Sequence, residues 1–247
     1  MAKFVVHATW DDCGHLSEEA KQSLWESIPE YQRDARSKGI PQLGSGAIFP
    51  IDEQFIIVPD RKIPDHWPRC FGLDVGWNRT AAIWLAKDLD TGITYAYSEH
   101  YMGKEEPAIH AHAIRARGAT IPGVIDPASR GRSQIDGRTL IQAYIDLGLD
   151  LESALSAVEA GLFIVWQLFS TGQLKLFESL ANLRQEIRLY RRDADGKVVK
   201  ANDHACDALR YGIVSGRDRM RTIVPVPDPN REFNTHDGGG YDGSWMG

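Results

Sequence analysis

Residues 71–81 read FGLDVGWNRTA, and the fold turns on how this stretch is read. Phe71, Leu73 and Val75 alternate with Gly72, Asp74 and Gly76, the two-residue period of a strand whose faces differ. One face is apolar, and the other holds two glycines around a single carboxylate. Gly76 and Asn78 supply turn chemistry, and the apolar run Thr80–Ala86 begins at once, which predicts a hairpin. An acid inside a buried strand is costly unless a cation, a metal or backbone donors pair with it. Asp74 is therefore read as a site residue; the alternative is a hydrogen-bonded brace for the turn.

Working outward, Phe71–Val75, Ala81–Lys87 and Ile93–Tyr101 form three extended runs joined by short turns, an antiparallel meander. A helix over Pro107–Arg117, a strand over Ile121–Asp126 and helices over Arg138–Leu147 and Ser153–Ser170 follow. Then come a strand over Gln173–Phe177, an amphipathic helix over Leu180–Tyr190, a hairpin turn at Asp195-Gly196 and a last helix over Asn202–Arg217. The expected class is α/β: a mixed five-stranded sheet, its first three strands antiparallel, with helices on both faces. Upstream, residues 4–10 read as a strand, Ser17 as the N-cap of a helix to Ser27, and Glu30–Lys38 as a second helix stopped by Gly39. Ile48–Val58 is extended, and the proline-rich Pro59–Pro68 marks a boundary. Beyond Thr222 the chain has little to bury and reads as a disordered tail.

Composition narrows the classes. The chain has 247 residues, 43% of them hydrophobic and 25% charged, as an ordinary globular protein does. The densest apolar run, Leu162–Phe169, is far too short to span a bilayer, and the N-terminus carries no signal-peptide pattern. Cys13, Cys70 and Cys206 are odd in number and far apart, which argues against a zinc site and for a reducing, cytosolic compartment. A net charge of −6 argues against indiscriminate nucleic-acid binding. The charge is segregated, however: between Arg184 and Lys200, six Lys/Arg face only three acids.

Two further acids stand where they can meet Asp74. Asp126 ends the run GVID, and Pro127 keeps it out of helix, at the carboxyl end of its strand, the edge where ligands bind in open α/β sheets. Asp203, His204 and Asp207 lie in NDHACDALRY, where Asp203 and Asp207 share a helix face and His204 pairs with Asp207 at i, i+3. Asp203 is equally readable as a helix start, Asp207 as an ion-pair partner of Arg210 or Arg184, and His204 as structural. Converging hard oxygen ligands of this kind suit two Mg²⁺ ions about 4 Å apart.

FGLDVGW with the following Thr80, VIDPAS, STGQLKLF, EIRLYRRD–GKVVK and NDHACDALRY occur in the order seen in phage terminase large subunits. Over roughly residues 69–216 the chain resembles the C-terminal nuclease domain of those DNA-packaging motors, which has an RNase H/RuvC-like fold. The resemblance implies a metal-dependent endonuclease that cuts concatemeric double-stranded viral DNA in the host cytoplasm. Its cofactors would be two divalent ions, Mg²⁺ or Mn²⁺, held by Asp74, Asp126 and Asp207 with Asp203, and His204 would assist. On that resemblance one ion would lower the pKa of the attacking water and the other would steady the leaving 3′ oxygen, giving 5′-phosphate and 3′-hydroxyl ends. Partners implied are the terminase ATPase domain, the small terminase subunit and a portal protein, with no membrane.

On this reading residues 1–68 lead in from an ATPase domain, 69–221 are the nuclease domain and 222–247 the tail. No GxxxxGK[ST] loop occurs, so the chain is expected to be an excised domain or a fragment of a longer motor. DNA contact would rest on Arg184, Arg188, Arg191 and Arg192, with Arg130 and Arg132 after Asp126; a solvated basic face is the competing reading. Two other functions fit parts of the pattern. Actin/hexokinase-like ATPases also begin with Asp-x-Gly and a nearby Thr, which would make Asp74–Thr80 a nucleotide site. A docking module of the motor would tolerate loss of the acids.

Overall fold

The computed structural model describes residues 9–14, 16–27, 37, 46–131, 138–193 and 195–222. The expected strand at residues 4–10, the helix Glu30–Lys38 and the tail fall wholly or largely outside them. Ser17 caps the first helix, α1 (Glu18–Ser27), by accepting a hydrogen bond from the Ala20 amide at 3.2 Å. A single turn, α2 (Glu53–Ile56), leads into strand β1 (Ile57–Val58). The meander follows as β2 (Arg69–Asp74), β3 (Thr80–Lys87) and β4 (Thr94–Met102), paired antiparallel. Helix α3 (Pro107–Arg115), strand β5 (Gly123–Ile125), helix α4 (Leu140–Asp146) and strand β6 (Leu151–Ser153) come next. Helix α5 (Val158–Ser170), strand β7 (Leu174–Phe177), helix α6 (Ala181–Leu189) and helix α7 (His204–Tyr211) complete the order.

Among the described residues the sheet has seven strands in the order β1-β7-β4-β3-β2-β5-β6. All five expected strands are present, and the mixed class holds. The count of five is corrected by two edge strands, β1 on β7 and β6 on β5, both parallel. Each is two or three residues long, so no alternation has room to show, and pairing with a longer neighbour decides the conformation. β6 takes the start of what reads as the helix Ser153–Ser170, which begins only at Val158. β1 lies upstream of Pro59–Pro68, and Phe49 and Ile56, 5% and 1% exposed, enter the core with it.

The alternation in β2 sorts its two faces. Phe71 and Leu73 pack with Trp84, Ala111, Ile114 and Tyr144 under α3 and α4. Cys70 looks the other way, into the larger core beneath α5, α6 and α7. Gly72 shares that second face, and a methyl group there would lie 2.0 Å from the Ala208 carbonyl oxygen and 2.6 Å from the Gly212 nitrogen. The backbone of α7 thus lies directly on the backbone of β2. Past Tyr211 the last helix widens into a π turn, Gly212–Gly216, then tightens to a 3-10 turn ending at Arg219. No helix of the described residues is long and apolar enough to cross a membrane.

On the opposite face, His100 of β4 and His110 of α3 are buried with ring nitrogens 2.9 Å apart. Burial, with His110 and Arg117 beside it, pushes His100 from 6.5 down to about 4, and burial lowers His110 as well.

Two outcomes follow. Gly72→Ala should cost about 3 kcal/mol in chemical denaturation, the upper end for overpacking, because backbone cannot move aside as a side chain can. An unfolded chain protonates His100 near 6.5 and the folded one only near 4, so stability should be lost as pH falls through that window. Urea midpoints at pH 7 and pH 5 measure this, and the fall should be shallower in His110→Leu.

Candidate active site

Asp74 is the last residue of β2, 9% exposed, on the face that meets α7. β5 runs parallel beside β2, and the Asp126 amide donates to the Leu73 carbonyl at 2.9 Å, so Asp126 leaves the sheet next to Asp74. Its Oδ1 accepts from the Ala128 amide at 3.0 Å and from the Tyr211 hydroxyl at 3.2 Å. The close approach at Gly72 brings α7 over this edge. His204 Nδ1 lies 2.9 Å from Asp74 Oδ2, and Asp207, 7% exposed, looks inward from the same helix. Burial raises the Asp74 pKa, and the charges of Asp207 and Asp126 push it the same way against the hydrogen bond from His204. That bond in turn holds His204 above its ordinary value.

The protein's own cations answer these acids. Arg210, 2% exposed, donates to Asp207 Oδ1 through Nε at 3.2 Å and through a terminal nitrogen at 2.9 Å. Lys200 donates to Asp207 Oδ2 at 3.0 Å. The same ammonium is 3.2 Å from Asp203 Oδ2, within ion-pair range but without hydrogen-bond geometry, so that buried oxygen is left unbonded. With Asp207 turned onto Arg210 and Lys200, and Asp74 onto His204, no three acid or imidazole groups among the described residues form a ready metal cage. The donor set still fits a hard divalent ion: carboxylate oxygens, one of them held only by an ion pair to exposed Lys200, around a buried acid that resists carrying its charge. Lys200, its side chain 58% exposed, is the partner an ion could replace; buried Arg210 is not.

Asp203 occupies the N-cap position of α7 but makes no capping bond. Glu186 of α6 performs that task. Its Oε2 accepts from the Ala205 and Cys206 amides at 2.6 and 3.1 Å, while Tyr101 donates its hydroxyl to Oε1 at 2.6 Å. The sequence carried a signal for this residue, since Leu183, Glu186, Ile187 and Tyr190 fall on one inward helical face.

The expected DNA-contact arginines are scattered. Arg184 and Arg188 both pair with Glu53, and Arg192 pairs with Glu159. Arg130 and Arg191 are exposed, and Arg132 lies outside the described residues.

A mixed sheet with its acids gathered at the carboxyl ends of two neighbouring parallel strands, beneath a helix from the C-terminal part of the chain, defines an RNase H-like fold. Residues 71–215 match the family described as the terminase RNaseH-like domain, and the chain belongs to that family. It is 32% identical over 235 residues to the terminase large subunit of Salmonella phage P22, an alignment covering 90% of this chain and 46% of that protein. The chain thus spans about half the length of the curated relatives it matches. The solved nuclease domain of the P22 large terminase superposes with a TM-score of 0.67 at 29% identity, covering 74% of this chain and 97% of that one. The large terminase nuclease of phage G20c, solved with bound magnesium, shares the fold at a TM-score of 0.51 and 17% identity, covering 71% and 99%.

Removing Asp207 should uncover a buried, unpaired guanidinium. Asp207→Ala should therefore lose roughly 3–5 kcal/mol of stability, against the general expectation that thinning a crowded acidic site stabilises. Calorimetry on the two proteins decides it, and an unchanged melting temperature would show that Arg210 finds another partner.

Proposed function

We propose that this chain is the endonuclease part of a viral genome-packaging motor, cutting double-stranded DNA by metal-dependent phosphodiester hydrolysis. The observation that carries the reading is that buried Asp74, at the end of β2, lies within electrostatic reach of both Asp126, just past β5, and Asp207 of α7. The family supports it, as does the magnesium in the G20c nuclease.

Asp74, Asp126, Asp203 and Asp207 would hold two divalent ions, Mg²⁺ or Mn²⁺. Bound there, such ions supply a nucleophilic water at neutral pH and stabilise charge on the leaving oxygen. His204 orients the Asp74 carboxylate and carries a proton at Nδ1. Arg210 holds Asp207 through Oδ1, so Oδ2, bonded to exposed Lys200, would be the oxygen available to an ion. Glu186 sets the position of both His204 and Asp207 by gripping the first turn of α7. The substrate would be concatemeric viral DNA in the host cytoplasm, with the motor's ATPase domain, the small terminase subunit and a portal protein as partners. Against the nucleotide-binding alternative, the buried Thr80 hydroxyl is spent on the Gly76 carbonyl at 3.1 Å rather than offered to a phosphate.

Purified protein should nick supercoiled plasmid with Mg²⁺ or Mn²⁺ and not with EDTA, leaving 5′-phosphate and 3′-hydroxyl ends. Asp74→Ala should abolish the cutting. Full activity in Asp74→Asn would overturn the site, and acids replaceable without loss would point to a docking module.

A further inference from the structure

At the sheet edge where β2 ends in Asp74 and β3 begins just after Arg79 lies a cleft of about 360 Å³ lined by Arg79, Tyr101, Asn182, Gln185, Leu189 and Asn202. Glu186 also lines it, and its carboxylate is already engaged by Tyr101 and two amides of α7. The cleft therefore contains an acid whose bonding capacity is largely used, and a cation whose capacity is not. The Arg79 guanidinium carbon sits 4.7 Å from the centroid of the Tyr101 ring, and no carboxylate pairs with it among the described residues. Arg184, Arg188, Arg192, Arg210, Arg219 and Arg221 all have carboxylate partners.

The setting of Arg79 is rigid. Its platform, Tyr101, is tied at the far end to Glu186. The turn between Asp74 and Arg79 is braced by the Lys104 amide, which donates to the Trp77 carbonyl at 2.7 Å. A methyl group on Gly103 would strike the Asn78 carbonyl oxygen at 2.0 Å, so the two loops touch through backbone. A permanently charged planar fork, held in place by stacking, is suited to a phosphate oxygen pair and loses little freedom on binding one. Asn182, Gln185 and Asn202 add neutral polar groups to the lining. Asn202 precedes α7 and Glu186 binds the first amides of that helix, so the cleft borders the start of the element that carries His204 and Asp207. A cleft that offers a fixed cation and amides beside a phosphodiester-cutting site is built for the next part of the same strand's backbone.

We propose that this cleft is a phosphate subsite in which Arg79 clamps a backbone phosphate of the DNA next to the one being cut. The proposal rests on the nuclease reading above. Arg79 acts there as a binding and positioning residue, without regard to base sequence, because phosphate contacts set register and base edges set specificity.

The test measures duplex binding by Arg79→Gln and Arg79→Lys, each in an Asp74→Asn background without metal, across a salt series. It also measures kcat and KM for cutting in the otherwise unaltered chain. Arg79→Gln should weaken binding about tenfold and lower the slope of log K against log salt by about one. The loss should be equal on duplexes of different sequence. Arg79→Lys should recover most of the slope but less of the affinity, since it keeps the charge and loses the fork. Affinity and slope unchanged in both folded variants, while the parent chain binds and cuts, would overturn the subsite and leave the nuclease standing. Arg79-dependent binding without any cutting would support the subsite and count against the nuclease reading. A parent chain that neither binds nor cuts would overturn both.

Discussion

The contact between two backbones, β2 at Gly72 and α7 at Ala208 and Gly212, is the constraint on which the remaining geometry depends. A helix normally rests on a sheet through a layer of side chains. Here that layer is missing at one point, and the helix is drawn in until carbonyl and amide groups almost touch the strand. Two consequences follow from the alternation of β2 alone. Asp74, two residues beyond Gly72, points at the same helix, and His204 and Asp207 on that helix come within reach of it. The site is thus assembled by the absence of a side chain as much as by the acids themselves.

Drawing acids together costs energy, and the fold offsets the cost with neighbours that differ in permanence. Arg210 is walled in and belongs to the framework; Lys200 is half in solvent. Glu186 faces the opposite problem, the unsatisfied amides at the start of a helix, and solves it from a neighbouring helix. Tyr101 then couples that cap to β4, so sheet, α6 and α7 share one hydrogen-bonded junction.

Much of this was legible in the sequence. The alternation of Phe71–Val75 named the strand, its faces and its acid, and Pro127 placed Asp126 at a strand end. The spacing of Asp203 and Asp207 set them on one face, where Lys200 now bridges them. The edge strands β1 and β6 were not legible, because two or three residues cannot carry a period. Nor was the fate of the basic segment. Glu53 and Glu159 lie far from Arg188 and Arg192 in sequence, yet neutralise them in space, so charge segregated along the chain is mixed in the fold. Arg79 escaped notice for the converse reason: a lone arginine in a turn has no pattern, and only the folded chain shows that, among the described residues, no carboxylate pairs with it.

The short strand β1 has a mechanical meaning. It joins the sheet through two register pairs, Ile57 with Leu176 and Val58 with Phe177, with Phe49 and Ile56 buried just upstream. Hydrogen bonds between strands run across the strand axis. A pull along the chain from the side of Glu53 would therefore strain β1 in shear, and would have to draw two buried side chains from the core before the strand let go. The lateral path from there runs β1, β7, β4, β3, β2 and ends on the strand that carries Asp74. Four strand pairings, each a ladder of backbone hydrogen bonds, thus separate the first strand from the acid at the centre of the site.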